Sequence, residues 1–167
     1  MGTRHPAIVD WREIENEPFV YAGDDEPMCR DADYSDHLGL NRLGIHHVRI
    51  DPGHRTSFPH AESAEEEFVY VISGHPDVWL DGHLHPLQPG DAVGFPPGTG
   101  LAHSFLNNSA GIVELLVVGD RSMDANRIVY PMNPERQALR SDWWNDAPQT
   151  PLGPHDGMTD ERRARKR

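Results

Sequence analysis

Residues 67–106 read EFVYVISGHPDVWLDGHLHPLQPGDAVGFPPGTGLAHSFL. Short apolar runs alternate here with turn-forming residues at intervals of about 8–12 residues, the rhythm of a barrel or sandwich of short strands. The pair Asp81-Gly82 stands between Val78-Trp79-Leu80 and Leu84. Both central residues of a type I′ turn need positive φ, which Asp-Gly tolerates, so this is a strong hairpin signal. Working outward, further apolar runs cover Ile45–Ile50 and Ile112–Val118. Pro52-Gly53, Ser73-Gly74, Pro89-Gly90-Asp91, Pro96–Gly100 and Asn107–Gly111 supply the breaks. No helical period of comparable length interrupts the stretch. The fold class is all-β.

The chain divides into an N-terminal extension (1–42) packing on a barrel (43–119), a Pro-rich C-terminal extension (120–153) and a polar, basic tail (154–167). Phe68-Val69-Tyr70-Val71-Ile72 is apolar on both faces. One face should look into the barrel and the other needs a cover, either the extensions or a second subunit; a homodimer is expected. Trp143 and Trp144 are read as anchors that dock the C-terminal extension.

With 27 Asp+Glu against 15 Lys+Arg, the formal net charge is −12. That sign repels nucleic acid and anionic membranes. No window approaches the roughly 20 apolar residues of a membrane span, and the first residues, including Met1-Gly2, offer neither a secretory nor a myristoylation signal. A single cysteine, Cys29, excludes an intramolecular disulfide framework and suits a reducing, cytoplasmic setting. It falls in GDDEPMCRDADYSD, which reads as a loop, and so as an incidental thiol. The basic run Arg162, Arg163, Arg165, Lys166, Arg167 reads as a solvated tail or a short helix begun by Thr159 or Asp160.

Four residues carry the chemistry. His60 and Glu62 share a strand face by parity, Glu67 opens the next strand with Val69 and Val71 on its side, and His103 opens another with Phe105. Imidazoles and carboxylates gathered on one inner surface form a ligand set for Zn²⁺, Mn²⁺ or Fe²⁺. Two carboxylates buried together repel each other, and a divalent cation removes that cost. Glu65 and Glu66 read as a solvated acidic corner. His46 is in phase with the apolar Val48 and Ile50, whereas His47 points the other way, so His46 is the one that could reach a pocket. His83 and His85 flank the hairpin and should be exposed.

The segment resembles the cupin superfamily. The first cupin motif corresponds to Gly53, His60, Glu62, Glu67 and Gly74, the second to Gly90, Pro96, Gly98, His103 and Asn107. There are three departures: one extra residue before His60, two before His103, and Glu62 where the motif has its second His. The resemblance implies a double-stranded β-helix (jelly-roll) barrel with metal ligands at His60, Glu67 and His103, Glu62 being carried over by position only. It also implies a small-molecule substrate or ligand. Likeness to small isomerase-like cupins points to a sugar or sugar-phosphate isomerase, with Arg42, Arg49 and Arg55 as candidate phosphate contacts. A non-haem iron dioxygenase and a non-catalytic binding barrel stay open beside it, because one scaffold hosts many chemistries.

Overall fold

The computed structural model describes residues 4–121 and 125–165; Met1, Gly2, Lys166 and Arg167 lie outside the described residues. Ten strands follow one another among the described residues: β1 (Arg30–Asp33), β2 (Leu43–Ile50), β3 (Ala61–Glu62), β4 (Glu67–Ser73), β5 (Asp77–Leu80), β6 (His83–Pro86), β7 (Ala92–Phe95), β8 (His103–Leu106), β9 (Val113–Asp120) and β10 (Ile128–Val129). One sheet runs β1-β2-β9-β4-β7, a second β6-β5-β8, and a two-stranded pair joins β10 to β3. All ladders are antiparallel. This is the layered arrangement of a double-stranded β-helix.

Alternation builds the core. Val48, Ile50, Val69, Val71, Val113 and Leu115 face inward from the larger sheet and meet Val78 and Phe105 from the smaller one. The Asp81-Gly82 turn joins β5 to β6 with Leu80 opposite His83, and φ is +43° and +89° at its two residues. His83 and His85 are exposed. The second face of β8 is also covered: Leu106 packs with Trp79, Ala61 and Trp144, so the C-terminal extension closes the back of the smaller sheet.

Two segments differ from the sequence reading. The stretch around Cys29 is not a loop throughout. It supplies the edge strand β1, paired with β2 from Arg30↔Arg49 to Asp33↔His46, and the short helix α1 (Tyr34–Leu38). Arg30-Asp31-Ala32-Asp33 lacks apolar alternation because an edge strand places little of itself in the core. The basic C-terminus is not a free tail up to Arg165. Buried Thr159 donates its hydroxyl to Gly53 O (2.8 Å) at the start of helix α2 (Asp160–Arg165), and Arg162 pairs with Asp25 (2.5 Å). Nearby, Arg55 makes a buried fork on Glu26 (2.7 and 2.9 Å) and donates to Gly157 O. Opposite charges on the acidic N-terminal loop and the basic C-terminus thus fasten both extensions to one end of the barrel.

The outer face of β4 is not covered by either extension. Phe68, Tyr70 and Ile72 remain 44%, 38% and 40% exposed.

Candidate metal and substrate site

His60 ends an extended segment that runs beside β8. The backbones of His60 and His103 exchange both hydrogen bonds (3.1 and 2.9 Å). An antiparallel pair of this kind puts the two Cα atoms about 5.5 Å apart with side chains on the same face. The imidazole centroids are accordingly 4.8 Å apart, although 43 positions separate the residues in the chain. Phe95 stacks flat on His103 (3.6 Å, 13°) and is also the register partner of Glu67. One phenyl ring therefore aligns a strand pair and a histidine together. Glu67 Oε1 lies 3.2 Å from His103 Nε2.

The protonation states follow from these partners. His60 Nδ1 lies 3.0 Å from Phe58 O. A carbonyl only accepts, so Nδ1 carries the proton and Nε2 the lone pair. Burial, helped by the nearby His103, pushes the His60 pKa down to about 4, keeping the ring neutral at pH 7. Burial works against the charge of Glu67, but the hydrogen bond and charge of His103, then His60 and His46, outweigh it and hold the carboxyl below its ordinary value.

These three side chains meet. Among the described residues, no three His, Cys, Asp or Glu side chains already stand in metal-ligating geometry; His103 and Glu67 are bonded to each other instead. The donor set nonetheless fits a divalent cation. It combines two imidazoles with a carboxylate held ionised, and His60 presents a neutral Nε2 whose opposite nitrogen is pinned to a backbone carbonyl, as in metal-binding histidines.

Glu62 takes a different direction. Its Oε1 accepts from Asn126 Nδ2 (3.1 Å) and its carboxyl bonds to that of Glu65. Burial and then the charge of Glu62 raise the Glu65 pKa to about 8, so the two share a proton near neutrality. Glu65 is thus no solvated corner residue, whereas Glu66 is exposed. Glu62, Glu65, Glu67 and His103 line a small hollow. The Glu67–His103 pair separates it from the main cavity.

That cavity has a volume of about 220 Å³, and its walls are mostly apolar: Phe19, Cys29, Val48, Val69, Phe105 and Val117. Its polar groups include His60, Glu67, His103, Ser57, His46 and Asp31. The parity of β2 does bring His46 inside. Its neighbour His47 instead lies on the outer face, stacked on Trp11 at 4.5 Å. Asp31 was illegible in the sequence, since β1 itself was read as loop. The three arginines considered for phosphate binding are elsewhere: Arg55 is consumed by Glu26, Arg49 by Glu15 (3.0 Å), and Arg42 lies exposed. No Lys or Arg among the described residues lines the cavity.

Fold and site together define a β-helix barrel with a His/Glu cluster in its interior. Residues 46–119 match the Cupin domain family. Over 134 residues the chain is 30% identical to the polyketide synthase CurC of Streptomyces cyaneus, covering 80% of this chain and 73% of that protein. It is similar to a solved sugar phosphate isomerase of the cupin superfamily from Silicibacter pomeroyi, at 29% identity and TM-score 0.65 over 74% of this chain and 80% of that one. A protein of Acidithiobacillus ferrooxidans assigned as a sugar phosphate isomerase shares 35% identity with TM-score 0.59. The match covers 62% of this chain and 65% of that protein, so the chain spans just under two thirds of its length. The chain belongs to the cupin superfamily.

Proposed function

We propose that this chain is a metal-dependent enzyme acting on a small carbonyl compound that is largely apolar and unphosphorylated. His60, Glu67 and His103 would hold the ion (Mn²⁺, Fe²⁺ or Zn²⁺), with Glu62 as a fourth donor once it leaves Asn126. A bound ion would supply a Lewis acid for a substrate oxygen. The remaining cavity residues orient the substrate and keep water out.

The observation that carries this reading is the His60–His103 backbone pair, which sets two imidazoles side by side, one of them bonded to the carboxylate of Glu67, on the wall of a mostly apolar cavity. An apolar wall without a cation suits a ring or chain bearing carbonyls, and the likeness to CurC supports a polyketide-type compound. A sugar-phosphate isomerase is the second reading, supported by the similarity to the Silicibacter protein; the absence of a lining Arg or Lys weighs against a phosphate in this cavity. Two His and one Glu are also the ligand types of a non-haem iron dioxygenase. A second copy of the chain is the expected macromolecular partner.

The test is metal content, by elemental analysis of tag-free protein reconstituted separately with each ion. About one ion per chain is expected, falling at least about tenfold in affinity in Glu67→Ala and His103→Ala, with the thermal transition of the barrel retained. Glu62→Gln separates a four-donor from a three-donor site by a smaller loss. Equal metal content in wild type and both alanine variants would end the assignment.

A further inference from the structure

His46 and Asp31 are a bonded pair of cavity residues outside the proposed metal site. They sit on neighbouring strands, both face inward, and His46 Nδ1 lies 3.0 and 3.1 Å from the two oxygens of Asp31. The contact is forked and closer than the register alone requires, because His46 is paired with Asp33 while Asp31 is two residues along. A carboxylate can only accept, so Nδ1 carries the proton and the lone pair falls on Nε2. Nε2 makes no hydrogen bond to the described residues. The ring leans over Gly44, where an added Cβ would stand 3.5 Å from Nε2, an ordinary van der Waals contact. The imidazole is 30% exposed, open to a ligand yet sheltered from bulk water.

We propose that His46, oriented by Asp31, is the general base and acid of the cavity, moving a proton at a carbon next to the substrate carbonyl. The inference rests on the carbonyl-substrate reading above and adds the residue that would do the proton chemistry. His46 Nε2 takes the proton from the α-carbon. The electron pair of that C–H bond becomes the C=C of an enolate, and the carbonyl π pair moves onto oxygen. The imidazolium then returns its proton to carbon or to oxygen, giving back the ketone, an isomer or the enol. No oxidant or reductant is consumed. Asp31 keeps the hydrogen bond from Nδ1 throughout and stabilises the imidazolium.

The electrostatic surroundings suit the role. The hydrogen bond to Asp31 raises the His46 pKa, burial opposes it, and the charges of Asp31, Asp33 and Glu67 add to the rise. Beyond these, the facing groups are Cys29 in the cavity wall near Asp31, Glu65, whose Oε1 lies over Gly119 on β9, the strand next to β2, and His60 and His103 across the cavity. The rise goes in the direction that strengthens His46 as a base.

The experiment uses the full chain, with and without Mn²⁺, and 1-tetralone, a bicyclic aryl ketone, as probe. Saturation-transfer NMR reads binding, and deuterium uptake at the C2 position in D₂O reads proton abstraction. Wild type should bind the ketone and accelerate exchange. His46→Gln should bind as well but lose about a hundredfold in exchange, within the usual range for a general base. Asp31→Asn should retain part of the exchange and move the acidic limb of its pH profile to lower pH, because the His46 pKa falls without the carboxylate. Should His46→Gln not fold, the imidazole titration of His46 in wild type must coincide with that limb, and a mismatch overturns the proposal. Exchange undiminished in a folded His46→Gln overturns it too, as does a pH limb unmoved in Asp31→Asn. Binding without exchange in wild type sinks the dyad and spares the substrate reading. No binding at all sinks the carbonyl reading, and the dyad with it.

Discussion

His60 and Glu67 occupy the same barrel interior yet are driven to different states by their partners. Burial removes the proton from one imidazole, while an adjacent imidazole keeps a carboxylate ionised. The same desolvation acts on Cys29 in the cavity wall. Its thiol is pushed up to about 12, with the nearby Asp31 adding to the effect, and its Sγ donates weakly to Thr56 O. A thiolate is the reactive species. At pH 8 a thiol reagent should therefore label native protein at least about a hundredfold more slowly than the urea-unfolded chain, followed by mass spectrometry; equal rates would show that the cavity opens freely. The folded pKa exceeds the unfolded value of about 8.5. Any stability carried by the buried thiol is therefore intact below that pH and is lost as pH rises toward the folded value.

At the level of elements, the site depends on turns that hold neighbouring strands in register. Gly74 ends β4 with φ of +83°, and a Cβ there would meet Ile112 O at 2.8 Å, backbone that cannot step aside. Gly74→Ala should cost about 2 kcal/mol, combining left-handed strain with the clash, measured by urea unfolding. A loss below about 0.5 kcal/mol, the scale of an ordinary surface change, would mean that the β4–β9 junction relaxes freely. Between Val71 and Ser73 the register of β4 against β9 shifts, so the strand is already irregular just before this glycine. The Gly74 position was readable from its spacing to Glu67. The bulge was not, since Phe68–Ile72 is apolar on both faces and a shift of phase leaves no mark in such a run.

For the whole molecule, the uncovered face of the larger sheet is the unresolved matter of packing. Phe68, Tyr70 and Ile72 form one exposed stripe on β4, next to Val118 and Leu43 along the groove beside it. Exposed apolar stripes of this kind mark interfaces. A homodimer burying this face is expected in sedimentation velocity at micromolar concentration. A Phe68→Glu/Tyr70→Glu double variant should be monomeric with its core intact, since both side chains point away from the cavity. A wild-type monomer at that concentration would remove the dimer.

By itself, the sequence determined the β class, the two motif segments, the hairpin at Asp81-Gly82 and the inward phase of His46, because these depend on alternation, turn chemistry and short spacings. It also marked His60, Glu67 and His103 as candidates to converge. Only tertiary structure decided that His60 and His103 exchange backbone hydrogen bonds, that Glu62 turns to Asn126 and Glu65, that Arg49 and Arg55 are spent on carboxylates away from the cavity, and that Asp31 enters it. Each of those outcomes joins segments distant in the chain, where the partner, not the residue type, sets direction, charge and exposure.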